Sequence, residues 1–480
     1  MARRGAFAPA LLAALAAGCG VAGGDPADSR DERPNVVVLM TDDQTVESVR
    51  VMSGVRRTLV ERGTTFRRSF VSFPLCCPSR ATFLTGQYAH NHGVLGNRPP
   101  TGGYGRLDTE ETLPVWLRRA GYRTMHVGKF LNRYGIDRPP TEVPPGWDEW
   151  HASVDPFTYE YYRTMLNENG TLRTYHSAYS TDLYARRAVE LVRRAADGER
   201  PFFLSLGFLA PHAGGPRQAD DPAGLATPVP APRHRDRFAA EALPPGVRAA
   251  FDEPDMSDKP AYLRARAPIS AELAAGVEEN YRQRLESLLA VDEAVVQLVE
   301  ALRAVGELDD TIVIFTSDNG FFHGEHRMES EKMLAYEPSI RVPLIMRGPG
   351  LPAGAKRHQL VTNADLAPTI LDLAEATARK PQDGRSLLPL LADPRLDWSR
   401  DLLIEGADGF TVVAFEALRS PRFLYVRYVN GERELYDLRR DPHQLQSLHE
   451  DPAYEGVRAR LARRLRALSA CAGRSCHTRR

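Results

Sequence analysis

Three stretches of the chain are apolar at nearly every position: residues 35–41 (NVVVLMT), 201–210 (PFFLSLGFLA) and 311–317 (TIVIFTS). A strand with one wet face alternates polar and apolar residues, so runs without alternation predict central strands covered by helices on both faces. Each run stops at polar residues: Asp42 and Asp43, then Pro211 and His212, then Asp318, Asn319 and Gly320. In parallel sheets chemistry gathers at the carboxyl ends of the strands, so the three ends point to one site.

Helical spacing of apolar residues separates the runs, over 112–120 behind Thr112 as N-cap, over 181–196 and over 280–305. Alternating strands and helices predict an α/β domain with a large, mostly parallel sheet between helices. Residues 212–268 are rich in Pro, Ala and charge with weak periodicity, which predicts a long surface excursion near the site. From about Trp398 the texture changes to short strand candidates, DLLIEG, FTVVAFEAL, RFLYVRYV and ELYDLR, with an Asn430-Gly431 turn between the last two. These predict a smaller C-terminal antiparallel sheet, and the basic amphipathic stretch 456–468 predicts a helix packed on it.

Composition narrows the function classes. The 480 residues carry 62 basic and 62 acidic side chains, so the overall balance gives no reason to expect a nucleic-acid partner. Only five of the basic residues are lysine, at 129, 259, 332, 356 and 380. Genomic base composition explains most of that bias, yet against it a retained lysine marks a place suited to a compact ammonium.

Arg3 and Arg4, an Ala/Leu-rich stretch over 6–17 and the small residues before Cys19 form an export-signal pattern, too short for a membrane span. Residues 15–19 (LAAGC) are similar to a bacterial lipobox, in which Cys19 becomes lipidated; plain secretion is the alternative, and 20–33 reads as a polar linker. Both place the mature protein outside the cytoplasm, with a membrane tie only through that anchor. Disulfides persist there, and Cys471 and Cys476 in CAGRSC are the expected pair. Cys76 and Cys77 stand side by side without an obvious partner.

Three carboxylates and an amide at strand ends (Asp42, Asp43, Asp318, Asn319) repel one another unless a cation lies between them, and hard oxygen donors suit Ca²⁺ or Mg²⁺. With these pairs, the stretch CCPSR at 76–80 followed by Thr85-Gly86, Gly128-Lys129, Pro211-His212 and ELYDL at 434–438, residues 35–448 resemble the sulfatases of the alkaline-phosphatase-like superfamily. GKFLN at 128–132 and GQYAHNHGV at 86–94 resemble the N-acetylglucosamine-6-sulfatase branch. The resemblance implies a catalytic domain over 34–394 and a small α+β subdomain over 395–480.

It also implies roles. Cys76, as first residue of CxPSR, would be oxidised to formylglycine by a maturation enzyme, while Cys77 fills the variable slot and tolerates Thr. Asp42, Asp43, Asp318 and Asn319, with residue 76, would hold the cation. Arg80 would hold the hydrated aldehyde, Lys129 and Lys332 the sulfate, and His212 would protonate the leaving alkoxide; Asn132 and His326 join Lys129, Lys332 and His212 as substrate-binding candidates. Many sulfatases read GKWH where this chain reads GKFLN. The assisting His is absent, since Lys129 and Phe130 are followed by Leu131 and Asn132; Asn132 orients but accepts no proton, and His126, His323 and His326 are the candidate substitutes. His90 and His92 are expected to support the helix of Cys76 or to contact substrate. The implied substrate is a sulfated sugar or an aryl sulfate. Rival readings are a phosphate- or phosphonate-ester hydrolase of the same superfamily, and a carbohydrate-binding lipoprotein whose Cys76 is never matured.

Overall fold

The structure is a computed structural model and describes residues 31–406 and 413–477. The export signal, Cys19 and nearly all of the linker lie outside the described residues, as does 407–412, where the FTVVAFEAL candidate begins. Among the described residues no helix is long and apolar enough to cross a membrane.

The three apolar runs are the strands β1 (Asn35–Thr41), β7 (Phe202–Gly207) and β8 (Thr311–Ser317) of a ten-stranded sheet. Its other strands are β2 (Thr64–Phe66), β3 (Arg123–Gly128), β4 (Glu149–Ser153), β5 (Thr164–Glu168), β6 (Thr171–Tyr175), β9 (Leu344–Arg347) and β10 (Ala355–Arg357). The order is β10-β2-β9-β8-β1-β7-β3-β4-β5-β6. The central block β8-β1-β7-β3-β4 is parallel, whereas β9, β5 and β6 run antiparallel to the neighbours that tie them to it.

The lack of alternation in β1 has a direct cause. Val36, Val38 and Met40 enter a core on one face, with Trp116, Trp150 and helix α1 (Cys76–Thr85). Val37 and Leu39 enter the core on the other, with α3 (Ser180–Ala196) and α4 (Ala271–Ala304). The expected helix at 112–120 is α2 (Leu113–Arg119). Helix α4 begins nine residues ahead of its apolar stripe, because Ser270 caps it by accepting from Leu273 N at 3.1 Å. The excursion after His212 holds only short helical turns and packs Leu243 and Val247 against Tyr281 and Leu285 of α4.

The C-terminal sheet is antiparallel, β11 (Leu402–Gly406), β12 (Phe415–Arg419), β13 (Phe423–Tyr428) and β14 (Arg433–Asp437), in chain order. Helix α5 (Glu455–Leu468) lays Leu461, Leu465 and Leu468 on Leu403, Leu418 and Leu435. The opposite face packs Leu402, Ile404 and Leu424 on Phe70, Leu334 and Ile340 of the main domain. Cys471 and Cys476 are bonded to each other, whereas Cys76 and Cys77 are free thiols.

Candidate active site

Strand register puts the site residues on one level. Thr41 pairs with Ser317, Met40 with Gly207, and Gly207 with Gly128, so Asp42, Asp318 and Lys129 leave the sheet side by side. The glycines are required there. A Cβ on Gly128 would stand 2.1 Å from Gly207 O, and one on Gly207 2.2 Å from Lys129 O. Asp43 sits in the left-handed region at φ 68°, held by its own N–H to Asp318 Oδ1 at 3.2 Å and by Gln44 N–H to Ser317 Oγ at 2.9 Å.

Cys76 is the first residue of α1, behind the extended N-cap Leu75, so the helix starts at the thiol rather than after it. The positive end of the helix faces that residue. The Cys77 N–H, one of the first-turn amides, is engaged by Asn97 Oδ1 at 3.0 Å. Cys76 Sγ lies 3.4 Å from Asp42 Oδ1 and 2.9 Å from Lys332 Nζ. Burial pushes its thiol pKa far up, and Asp42 adds to the shift.

Four cationic or ionisable side chains answer the carboxylates. Lys129 Nζ bonds Asp42, and Lys332 Nζ bonds Asp43. Arg80 donates Nε to Asp318 Oδ2 at 2.7 Å and Nη1 to Lys129 O at 2.9 Å, while its Nη2 has no hydrogen-bond partner. His212 Nε2 lies 3.7 Å from Asp43 Oδ2. Its Nδ1 is 2.6 Å from Ala213 O. A carbonyl only accepts, so Nδ1 carries the proton and Nε2 is the nitrogen turned to the site.

The charges shift one another accordingly. Burial alone would raise Asp42, but Lys129, His212, Arg80 and Lys332 together take it well below the carboxylate range. Burial and neighbouring Asp42 push Asp318 up to about 6 against the pull of Arg80. Burial lowers His212, with Asp42 and Asp43 opposing.

The donors fit a hard divalent cation. One ligand atom each from Asp42, Asp43, Cys76 and His212 lie within 4.8 Å of one another. Asn319 donates Nδ2 to Asp43 Oδ1 at 2.6 Å, leaving its buried Oδ1 without a donor. An orphaned amide oxygen beside three carboxylates is an open ligand position of the type Ca²⁺ and Mg²⁺ take.

The remaining candidates fall elsewhere. Asn132 donates to Tyr159 Oη at 2.6 Å and reaches Lys129 only through that ring. His326 Nδ1 is 2.6 Å from Glu253 Oε2, and its ring lies 4.3 Å from that of Tyr336. It lines, with His323 and Phe321, a cavity of about 730 Å³ whose walls include Thr45 but neither Cys76 nor the carboxylates. His126 is enclosed by Trp147, Trp150 and Phe130, and burial lowers it to about 3. His323 packs edge-on against Tyr281, and burial holds it far below the usual imidazole range. His92 Nε2 contacts Thr82 Oγ1 of α1 at 3.1 Å, and His90 bonds Glu405 at 2.9 Å and Cys471 O at 2.8 Å, so both brace the helix region.

Two residues escaped the sequence reading. Tyr159 holds its ring 4.8 Å from Lys129 Nζ and 5.1 Å from the His212 ring; its only signal is the aromatic cluster FTYEYY. Arg284 is buried, donates Nη2 to Asp43 O at 2.5 Å, and stacks 3.7 Å over Phe321. Burial lowers it to about 10. A basic residue on the apolar stripe of α4, between Tyr281 and Leu288, was the legible sign.

Residues 34–376 match the family described as Sulfatase, and residues 324–471 the family described as N-sulphoglucosamine sulphohydrolase, C-terminal. An arylsulfatase of Volvox carteri is 34% identical over 495 residues, covering 93% of this chain and 76% of that protein. The human N-acetylglucosamine-6-sulfatase is 36% identical over 413 residues, covering 83% and 71%. A solved structure of a protein in complex with its substrate D-glucosamine-2-N,6-O-disulfate superposes with a TM-score of 0.76 at 24% identity, covering 93% of this chain and 98% of that one, which shows a shared fold. Motif spacing, strand-end geometry and a match over most of the length agree: the chain belongs to the sulfatase family.

Proposed function

We propose that this protein hydrolyses a sulfate monoester of a sugar, of the N-acetylglucosamine 6-sulfate type, using formylglycine made from Cys76 and a divalent cation. The observation that carries the reading is Cys76 at the head of α1, its sulfur between Asp42 and Lys332, beside an amide oxygen and an arginine nitrogen that lack partners. The sugar class rests on the relatives. The LAAGC segment supports export, with Cys19 as the lipid attachment point.

A hydrated formylglycine at 76 supplies one hydroxyl to attack sulfur and a second to expel sulfate and restore the aldehyde; a bound cation supplies Lewis acidity and lowers the pKa of that hydroxyl. Asp42, Asp43, Asp318 and Asn319 would hold the cation. Arg80, through its unpartnered Nη2, would hold the second hydroxyl. Lys332 and Lys129 give up part of their carboxylate contacts to the sulfate oxygens, stabilising charge that grows as the ester bond stretches. His212, its Nδ1–H fixed on Ala213 O, would act as the imidazolium, the form that Asp42 and Asp43 favour, and give its Nε2 proton to the leaving alkoxide.

The test uses protein co-produced with a formylglycine-generating enzyme. Peptide mass spectrometry of the 68–80 segment should show conversion of Cys76, and a sulfate ester of one phenol should turn over far faster than its phosphate ester. An unmodified thiol in protein from the native host favours a non-enzymatic role, and a strong phosphate preference overturns the sulfatase assignment. A panel of sulfated monosaccharides then tests the sugar class.

A further inference from the structure

Many sulfatases place a His two residues after the sulfate-binding lysine; in this chain that position is Leu131, and Asn132 follows it. We propose that Tyr159, oriented by Asn132, is a positioning residue that sets both Lys129 and His212 for departure of the leaving group. This rests on the sulfatase reading above and deepens it.

Three contacts meet on one side chain. Tyr159 Oη accepts from Asn132 Nδ2 at 2.6 Å, its ring lies 4.8 Å from Lys129 Nζ, and the ring stands 5.1 Å from that of His212 at an angle of 49°. An ammonium over an aromatic face in a water-poor site is held by the ring quadrupole without using a hydrogen bond. Lys129 therefore keeps its place when it shares its Asp42 contact with a sulfate oxygen. His212 is held at Nδ1 by a single bond to Ala213 O, about which the imidazole can pivot. The Tyr159 ring is the wall that limits this pivot and keeps Nε2 turned to the site.

Backbone bonds couple the two segments. Tyr159 O accepts from Gly215 N at 2.8 Å, Tyr161 N donates to Gly215 O at 2.7 Å, and Tyr161 Oη donates to His212 O at 2.8 Å. The turn carrying Tyr159 and the loop carrying His212 thus move as one. The ring's polar end is set from the lysine motif itself, because Asn132 follows Lys129 by three residues. The lysine that grips sulfate and the histidine that protonates the alkoxide are then registered by one aromatic plate.

The test is a leaving-group series on matured enzyme: substituted phenyl sulfates of graded phenol acidity, with log kcat plotted against leaving-group pKa. Wild-type protein should show a shallow slope, because His212 protonates poor leaving groups. Tyr159→Leu should steepen it, losing at least ten-fold more kcat on the least acidic phenol than on nitrophenol, with KM raised throughout. Tyr159→Phe keeps the ring but loses the hydroxyl that Asn132 anchors, so it should fall between wild type and the Leu variant. Asn132→Ala, which leaves the ring in place but unanchored, should fall between them and serves if the Leu variant fails to fold. Uniform loss across the series, in either the Leu or the Ala variant, means Tyr159 merely fills space and overturns the inference. Wild-type protein inactive on every sulfate overturns the functional reading beneath it, a result distinct from an active enzyme whose slope no variant changes.

Discussion

Two regions bury carboxylates, and they neutralise them in different ways. In the C-terminal sheet Glu434, with no exposed surface, takes hydrogen bonds from the hydroxyls of Tyr336, Tyr436 at 2.7 Å and Tyr428 at 2.8 Å. Burial raises its pKa, and the three phenols pull it back. All donors are neutral, and both oxygens are occupied. At the edge of the main sheet Asp42, Asp43 and Asp318 are answered by two lysines, an arginine and a histidine, yet Asn319 Oδ1 and Arg80 Nη2 are left without hydrogen-bond partners, Nη2 facing Asp42 Oδ2 at 3.8 Å. A buried polar group without a partner costs about 1 to 3 kcal/mol. The two open groups beside Cys76 lie where a bound ligand would complete them, whereas the saturated nest of Glu434 leaves no position for one.

The largest effect expected from this contrast is at Cys76. Cys76→Ser should abolish turnover while the thermal midpoint and cation response stay close to wild type, because serine supplies one hydroxyl and cannot restore an aldehyde. Full activity in an assay of matured enzyme would remove Cys76 from the nucleophile role. Lys332→Ala comes next. It removes a cation that touches both Asp43 and Cys76, and losing one donor aimed at developing charge costs about 3 to 4 kcal/mol in kcat. Near wild-type kinetics would make Lys332 a charge that only balances Asp43.

Cation binding separates the two regions directly. Adding Ca²⁺ to chelator-treated protein at a hundred times its Kd should stabilise it by about 2.7 kcal/mol, read as a rise in Tm. Asp43→Asn should abolish that rise, and Glu434→Gln should leave it whole. No rise with either Ca²⁺ or Mg²⁺ in wild type would mean that Lys129, Lys332 and Arg80 already match the carboxylates.

How far the sequence carried the site follows from the same physics. The strands that lead to Asp42, His212 and Asp318 were legible because full burial removes alternation, and Lys129 and Lys332 because lysine is scarce here. The C-terminal sheet and its helix were legible from turn residues and an amphipathic stripe. Tyr159 was not, since its role depends on backbone bonds between segments 159–161 and 212–215, which no local pattern encodes. His326 was read as a candidate for the absent assisting His and for substrate binding, but it bonds Glu253 and lines a cavity whose walls lack Cys76 and the three aspartates. The early start of α4 was missed because residues 270–279 carry a cap, Ser270, and helix formers without an apolar face.

Glu434→Gln then tests the structural nest. Gln replaces one acceptor oxygen by a donor that faces tyrosine hydroxyls, so stability should fall by about 1 to 3 kcal/mol, read as a lower urea midpoint, with kcat unchanged. Lost activity at full stability would make the nest part of the catalytic machinery.

The smallest effect is expected one residue from the largest. Cys77 is as buried as Cys76, yet it faces the core with Ala81 and Leu84, and burial pushes its thiol up while the backbone at Gly103 and Asn132 pulls it back. A threonine hydroxyl would meet the same backbone groups, and its extra methyl is a modest volume change in a packed core. Cys77→Thr should therefore cost less than about 1.5 kcal/mol in unfolding free energy and leave kcat close to wild type. Loss of formylglycine conversion at 76 in this variant, read by peptide mass, would show that the maturation enzyme reads Cys77 as well, and that neighbours on one helical turn are less separable than their surroundings imply.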